Sequence, residues 1–280
     1  MPWIPELFSA QALARLWEDH RRRRLEVVPF FPGVMTGEID ALVASFAGEP
    51  EVHHPVRGRV KGVAAFERFA AELNAWLADR NAVVEDVDFV LVRGRGVEEV
   101  VLHLDGDGGR MELPVAVASD HDERGRISDQ RIYFGSRRLT GRHAVRPPLL
   151  QPEPGLVEDG AVGDYQRALA AGDAAAATAA FEPDGYLREP GGGDLTHRGT
   201  GELRAFFELI FSNGGGIPLE HCAVTDDGRA CALEYNVVAW GRTPLPPGAG
   251  LAVHVRGDGG RLAAVRIYDD ADPPIGRPDA

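Results

Sequence analysis

RIYF at residues 131–134 returns as RIYD at residues 266–269, a shift of 135 positions (266 less 131). The same shift carries Gly125-Arg126 onto Gly260-Arg261, Phe46 onto Phe181, Gly37 onto Gly172, and His53-His54-Pro55 onto Arg188-Glu189-Pro190. Five landmarks in one register mark a duplication, and so long a period means whole domains rather than stacked solenoid units. Between the copies, RPPLLQPEPG (Arg146 to Gly155) carries four prolines and no apolar periodicity, the composition of a stiff connector. The chain therefore divides into residues 1–145, a proline-rich linker over 146–156, and residues 157–280.

Each copy shows one order of elements. In the second, Tyr165, Ala168 and Leu169 share a helix face that Gly172 closes, and Asp173 can cap a short alanine-rich helix. The extended YLREP follows. A helix from about Thr200 presents Leu203, Phe206, Phe207 and Ile210 on one side. Strands are expected around Leu219–Thr225, Ala230–Trp240, Ala249–Arg256 and Leu262–Tyr268, with Asp-Asp-Gly and Asp-Gly-Gly turns between them. The first copy repeats this with a longer N-terminal helix (Leu13, Leu16, Trp17), a break at Pro29-Phe30-Phe31-Pro32, and a stripe of Val63, Phe66, Ala70, Leu73 and Leu77. Helices first and an antiparallel meander after predict an α+β fold, helices on one face of a curved sheet.

The formal net charge of −13 argues against nucleic acid, which needs a basic face. The basic run Arg21–Arg24 reads as a solvated helix end. No apolar run is long enough to span a bilayer, and MPWIPELFSAQ lacks the order of a signal peptide, so no membrane role and a cytoplasmic location are expected. Cys222 and Cys231, flanking the Asp-Asp-Gly turn, are expected as free thiols lying opposite each other.

The order of helix, Gly-Asp, short helix, extended x-acid-Pro, helix and four strands ending in Gly-Arg-apolar resembles the NTF2-like superfamily, in two tandem copies. That superfamily includes ketosteroid isomerases, SnoaL-type polyketide cyclases and limonene-epoxide-hydrolase-like enzymes. The resemblance implies two cone-shaped α+β barrels, each with a cup for ligands between helices and sheet. It also implies pairing through the outer sheet face, here as an intramolecular pseudo-dimer with room for a further homodimer. Ketosteroid isomerases place a tyrosine seven residues before the glycine that closes the first helix, where Tyr165 stands, and a general-base acid just before a strand proline, where Glu189 stands. Their third position, a protonated aspartate, falls on Ala252, which cannot serve; His254, two residues on and on the same strand face, is the candidate donor. The first copy has Phe30, His54 and Val117 at these positions, so the chemistry is expected in the second half.

Two readings of Arg188-Glu189 stand open: a solvated surface pair, or alternation that sends Glu189 into the cup and Arg188 outside. Pro190 would hold Glu189 extended in either case. On CALEYNVVAWG, Glu234, Asn236 and Trp240 could line a polar-aromatic pocket or form the wetter sheet face; Phe206, Asp269 and, in the first copy, His54 complete the expected substrate-binding set. Adjacent His53 and His54 point to opposite faces, and no HxxxH or HxH spacing supports a metal. No P-loop or Rossmann glycine pattern is present, and no cofactor is expected. A cofactor-independent isomerase, cyclase or lyase acting beside a carbonyl of a small apolar or polycyclic metabolite is one expectation. A non-catalytic binding or interaction protein is the other.

Overall fold

A computed structural model describes residues 29–106, 108–156 and 158–274, so the helical pattern before Pro29 and its arginine run lie outside the described residues. The first half runs α1 (Phe30–Thr36), α2 (Ile39–Ala44), β1 (Glu51–His54), β2 (Gly58–Lys61), α3 (Val63–Ala78), β3 (Val83–Val92), β4 (Arg95–Gly106), β5 (Gly109–His121) and β6 (Ile127–Tyr133). After the short α4 (Arg137–Thr140) and the linker, the second half repeats the order. It runs α5 (Gly160–Ala171), α6 (Ala174–Ala179), β7 (Phe181–Arg188), β8 (Thr196–Arg198), α7 (Gly199–Ile210), β9 (Leu219–Asp226), β10 (Ala230–Trp240), β11 (Thr243–Arg256) and β12 (Leu262–Ile267).

The two sheets have the same strand order, β2-β1-β6-β5-β4-β3 and β8-β7-β12-β11-β10-β9. Among the described strands only β1–β6 and β7–β12 pair in parallel. The fold is α+β, with one change from expectation: neither sheet closes into a barrel, and each keeps two edge strands. The prolines at 29 and 32 also act differently. Pro29 precedes α1 and Pro32 falls in its first turn, where no intrahelical donor is needed, so they open a helix rather than break one.

The local signals in the second half act as chemistry requires. Gly172 closes α5 in the left-handed region (φ 71°), and a Cβ there would lie 2.6 Å from the Gly215 backbone, so no other residue fits. Asp173 accepts from the Ala176 N–H at 2.9 Å and caps α6. Leu203, Phe206, Phe207 and Ile210 of α7 are buried against Leu187, Leu233, Tyr235 and Val237 on the helix-covered sheet face.

The opposite sheet faces pack on each other. Val97, Ala116, Ala118 and Tyr133 of the first sheet share one apolar cluster with Ala232, Leu251, Val253 and Tyr268, their counterparts under the 135-residue shift. The polar contacts repeat in the same way. Arg131 donates to Glu234 through Nε (2.6 Å) and Nη2 (3.0 Å), and Arg266 donates to Glu99 through Nε (2.7 Å) and Nη2 (2.6 Å). Tyr133 Oη donates to Glu234 at 2.7 Å and Tyr268 Oη to Glu99 at 2.5 Å. A cation lies over each tyrosine ring, but from different segments: Arg188 at 5.2 Å from Tyr268, and linker Arg146 at 5.6 Å from Tyr133. The linker is bonded to the second sheet, with Arg146 O accepting from Ala249 N and His221 O from Glu153 N, both at 2.8 Å.

Candidate active site

Strand alternation decides the Arg188-Glu189 question. Leu187 enters the second core, Arg188 donates to Tyr268 Oη at 2.5 Å in the interface between the halves, and Glu189 lines a cavity of about 970 Å³ under the helices. Glu189 is half-buried, and its partner is not Arg188. Its Oε1 lies 2.8 Å from His197 Nε2, from β8, whose pairing sets Leu187 opposite His197. The His197 ring stacks on Phe206 of α7, centroids 4.3 Å apart, which fixes the imidazole plane. His197 was not legible as a site residue, because Thr-His-Arg is too short a run to show a strand pattern.

A second acid faces the same cavity. Asp269, just past β12, accepts from Tyr235 Oη at 2.8 Å. Burial pushes its carboxyl above the ordinary aspartate range, against the lowering effect of the Tyr235 bond. Tyr165 is buried, its ring 5.6 Å from Phe181. Burial, and then the nearby Asp269, push its phenol up, so it stays protonated as a donor. Phe206 and Trp240 form cavity walls without filling the space, and Phe207 packs in the core.

Three expected site residues lie elsewhere. Glu234 points to the opposite sheet face and holds Arg131 and Tyr133; Asn236 on that face reaches Leu150 O (3.5 Å) and Cys222 Sγ (3.4 Å). Trp240 shares their parity in sequence but not in space, because a bulge between Val237 and Ala239 flips the strand and turns it to the cavity. His254 is on the helix-covered face but deep in the core, Nε2 3.0 Å from Gln166 Nε2 and Nδ1 3.2 Å from Cys231 O. Both nitrogens are engaged, so no donor is left for a ligand.

Burial holds His254 down at about 4. The unfolded chain therefore takes up its proton first as pH falls, and stability drops between about pH 6.5 and pH 4 by roughly 1.4 kcal/mol per pH unit for this group. Urea unfolding of a His254→Gln variant across that window should show a flatter pH slope than the parent.

The first half has its own cavity of about 1030 Å³, lined by Phe31, His54, Phe69, Trp76, Met111 and Phe134 among others. His54 Nδ1 accepts from the Val56 and Arg57 N–H groups at 3.2 Å, and burial pulls the imidazole down to about 3. Phe30 packs on Phe69 where the second half has Tyr165.

Among the described residues, Glu51, His53 and Asp129 bring ligand atoms close enough for a metal. Glu51 is already paired with Arg59 and Lys61, and Asp129 with Arg131, so a metal would have to displace cations already in place. The thiols are buried and free, but not opposite each other: Cys231 pairs across from Asp226, and Cys222 falls at a bulge in β9. Among the described residues no helix is long and apolar enough to cross a membrane.

Residues 162–266 match the family model of the SnoaL-like domain. No curated protein matches the chain. Solved structures similar to it include a candidate polyketide cyclase from Sinorhizobium meliloti, 23% identical, covering 39% of this chain and 93% of its own, with a TM-score of 0.33. The epoxide hydrolase/cyclase-like enzyme SalBIII, of pyran ring formation in the polyether salinomycin, is 17% identical over 41% of this chain and 91% of its own, TM-score 0.33. An NTF2-like protein of unknown function from Cytophaga hutchinsonii is 13% identical over 42% and 95%, TM-score 0.32.

Proposed function

We propose, from the premise that residues 162–266 are a SnoaL-like domain, that the second cavity is the active site of an isomerase, cyclase or lyase that removes a proton beside a carbonyl. One observation carries this reading: of the four carboxyl groups that line a single cavity, Glu189 and Asp269 stand in unlike environments, one half-buried beside a histidine and one buried against a phenol. Glu189, half-buried beside His197, is the base. Asp269, pushed toward its protonated form, and Tyr165 are the donors to the oxyanion that forms on the carbonyl. Asp269 thus supplies, from the end of the last strand, the carboxylic acid that Ala252 cannot. The substrate body is apolar, matching walls of Leu187, Phe206, Trp240 and Ile267, and no step requires a cofactor.

The first cavity lacks a carboxylate paired with its histidine and a phenol at the Phe30 position, so we assign it binding and support rather than chemistry. The reciprocal contacts between the sheets support reading the halves as an intramolecular pair, with the sheet faces already used.

The test is proton exchange. The full chain is incubated in D₂O with polycyclic ketones carrying a C–H beside the carbonyl, 2-tetralone among them, and deuterium uptake is followed by NMR. Enzyme-dependent uptake at that carbon supports the assignment. Ligands that bind the second cavity with no uptake by any of them would favour a carrier over an enzyme.

A further inference from the structure

The wall of the second cavity is not made by the second half alone. Gly135, Arg137, Arg138 and His143, all from the first half, stand at its mouth. They are held there by Asp270, a buried carboxylate that the proposed chemistry does not use. Asp270 Oδ2 accepts from Ser136 N (2.9 Å), Ser136 Oγ (2.5 Å) and Ala144 N (2.9 Å), and Oδ1 lies 2.8 Å from His143 Nδ1. Four contacts on one side chain clamp both ends of the 136–144 segment. Gly135 is part of the same fit, since a Cβ there would come within 3.1 Å of Pro190 and 3.2 Å of Asp269 O. From this clamped segment α4 presents Arg137 to the second cavity alone and Arg138 to both cavities, with Arg138 Nε 3.8 Å from where a Cβ on Gly191 would stand.

The acids that line the cavity are directed to other partners and do not pair with these arginines. Asp270 is occupied as described, Glu189 faces His197, Asp269 accepts from Tyr235 Oη, and Glu202 accepts from Arg198 N at 2.8 Å. Arg138 has one loose partner, the exposed Asp194 at 3.9 Å. Arg137 meets His143 Nε2 at 3.4 Å and joins no carboxylate ion pair among the described residues. Both arginines thus keep donors to spare beside a cavity with apolar walls, and spare guanidinium donors are what an anionic head group needs.

We propose that the ligand of the second cavity is an amphipathic organic anion: an apolar body against Phe206 and Trp240, and a carboxylate or phosphate at the mouth on Arg137 and Arg138. This rests on the second cavity being the ligand site. The first half then has a direct part in selecting the ligand, because the anion-binding arginines are its own.

Calorimetric titration of the full chain with 1-naphthol, 1-naphthoate and 1-naphthyl phosphate tests it. At least one anion should bind about tenfold or more tighter than the neutral naphthol, a preference that weakens with salt. Whichever of the two anions is preferred identifies the head group. Arg137→Gln, at the second cavity only, should by itself weaken the preference, and combined with Arg138→Gln should erase it and leave naphthol affinity unchanged. Arg110→Gln, at the mouth of the first cavity only, should leave the preference intact. Equal affinity for all three probes, or a preference that survives the double variant and falls with Arg110→Gln, overturns the proposal while leaving the proton-transfer reading standing. No binding that a Trp240→Ala substitution alters would remove the cavity reading and the proposal together.

Discussion

Glu234→Ala will lower the unfolding free energy by about 3 kcal/mol, the lower end of the range for a broken buried ion pair. Glu234 and Arg131 are almost wholly removed from water, their side chains 3% and 1% exposed. The substitution leaves Arg131 Nε and Nη2 and the Tyr133 hydroxyl without acceptors in a dry contact. The loss stays at the lower end because Arg131 Nη1 keeps Asp120, at 2.8 Å, and Asp129. Glu99→Ala should behave alike, since Arg266 keeps Asp88 at 2.9 Å. Replacing the group together, Arg131→Met and Tyr133→Phe with Glu234→Leu, should recover most of the loss, because the apolar group needs no partners and the half-exposed Asp120 and Asp129 can hydrate. Urea unfolding followed by circular dichroism reads all of these. A cost below about 1 kcal/mol for both single variants would mean that water reaches the pair and that the sheets do not pack as described.

The same residues show what was legible beforehand. Arg131, Tyr133 and Glu99 each recur 135 positions on, as Arg266, Tyr268 and Glu234. A feature kept in both copies is a sign of a structural role common to both, whereas Tyr165 against Phe30 and Glu189 against His54 differ between copies, as specialised chemistry does. Alternation says that Glu234 and Asn236 share a face but not which face, so the row reads equally as a pocket lining or as the wetter sheet face, and in the fold it serves the interface. Trp240 reaches the cavity through a bulge between Val237 and Ala239, which a period-two pattern does not show. The helices were legible from Leu203, Phe206, Phe207 and Ile210, whose spacing needs only one buried side. His197, Asp270 and the 136–144 segment were not, because their roles come from contacts across 8 positions and across 126 to 134 positions that no local pattern encodes.

Glu189→Gln will slow carbon–deuterium exchange by about 10²-fold or more, the usual share of a positioned general base, while 1-naphthol binding stays as in the parent. The geometry around the carboxylate makes the substitution clean. Pro190 restricts Glu189 to extended backbone, so the amide will point where the acid did. Arg188 is committed to Tyr268 on the far face of the strand and cannot follow into the space. The bond at risk is the one to His197 Nε2, and there an amide can still donate or accept, with the imidazole held against Phe206. What disappears is the capacity to take a proton. His197→Gln separates the members of the pair: if the imidazole only orients Glu189, this variant loses far less than Glu189→Gln and shifts the acid limb of the pH–rate profile rather than abolishing turnover. If instead Glu189→Gln exchanges at the parental rate and His197→Gln does not, the base is the histidine and Glu189 is its positioning residue. Full activity in both variants would leave Asp269 as the acid–base group still facing the substrate and would end the assignment of Glu189 as the base.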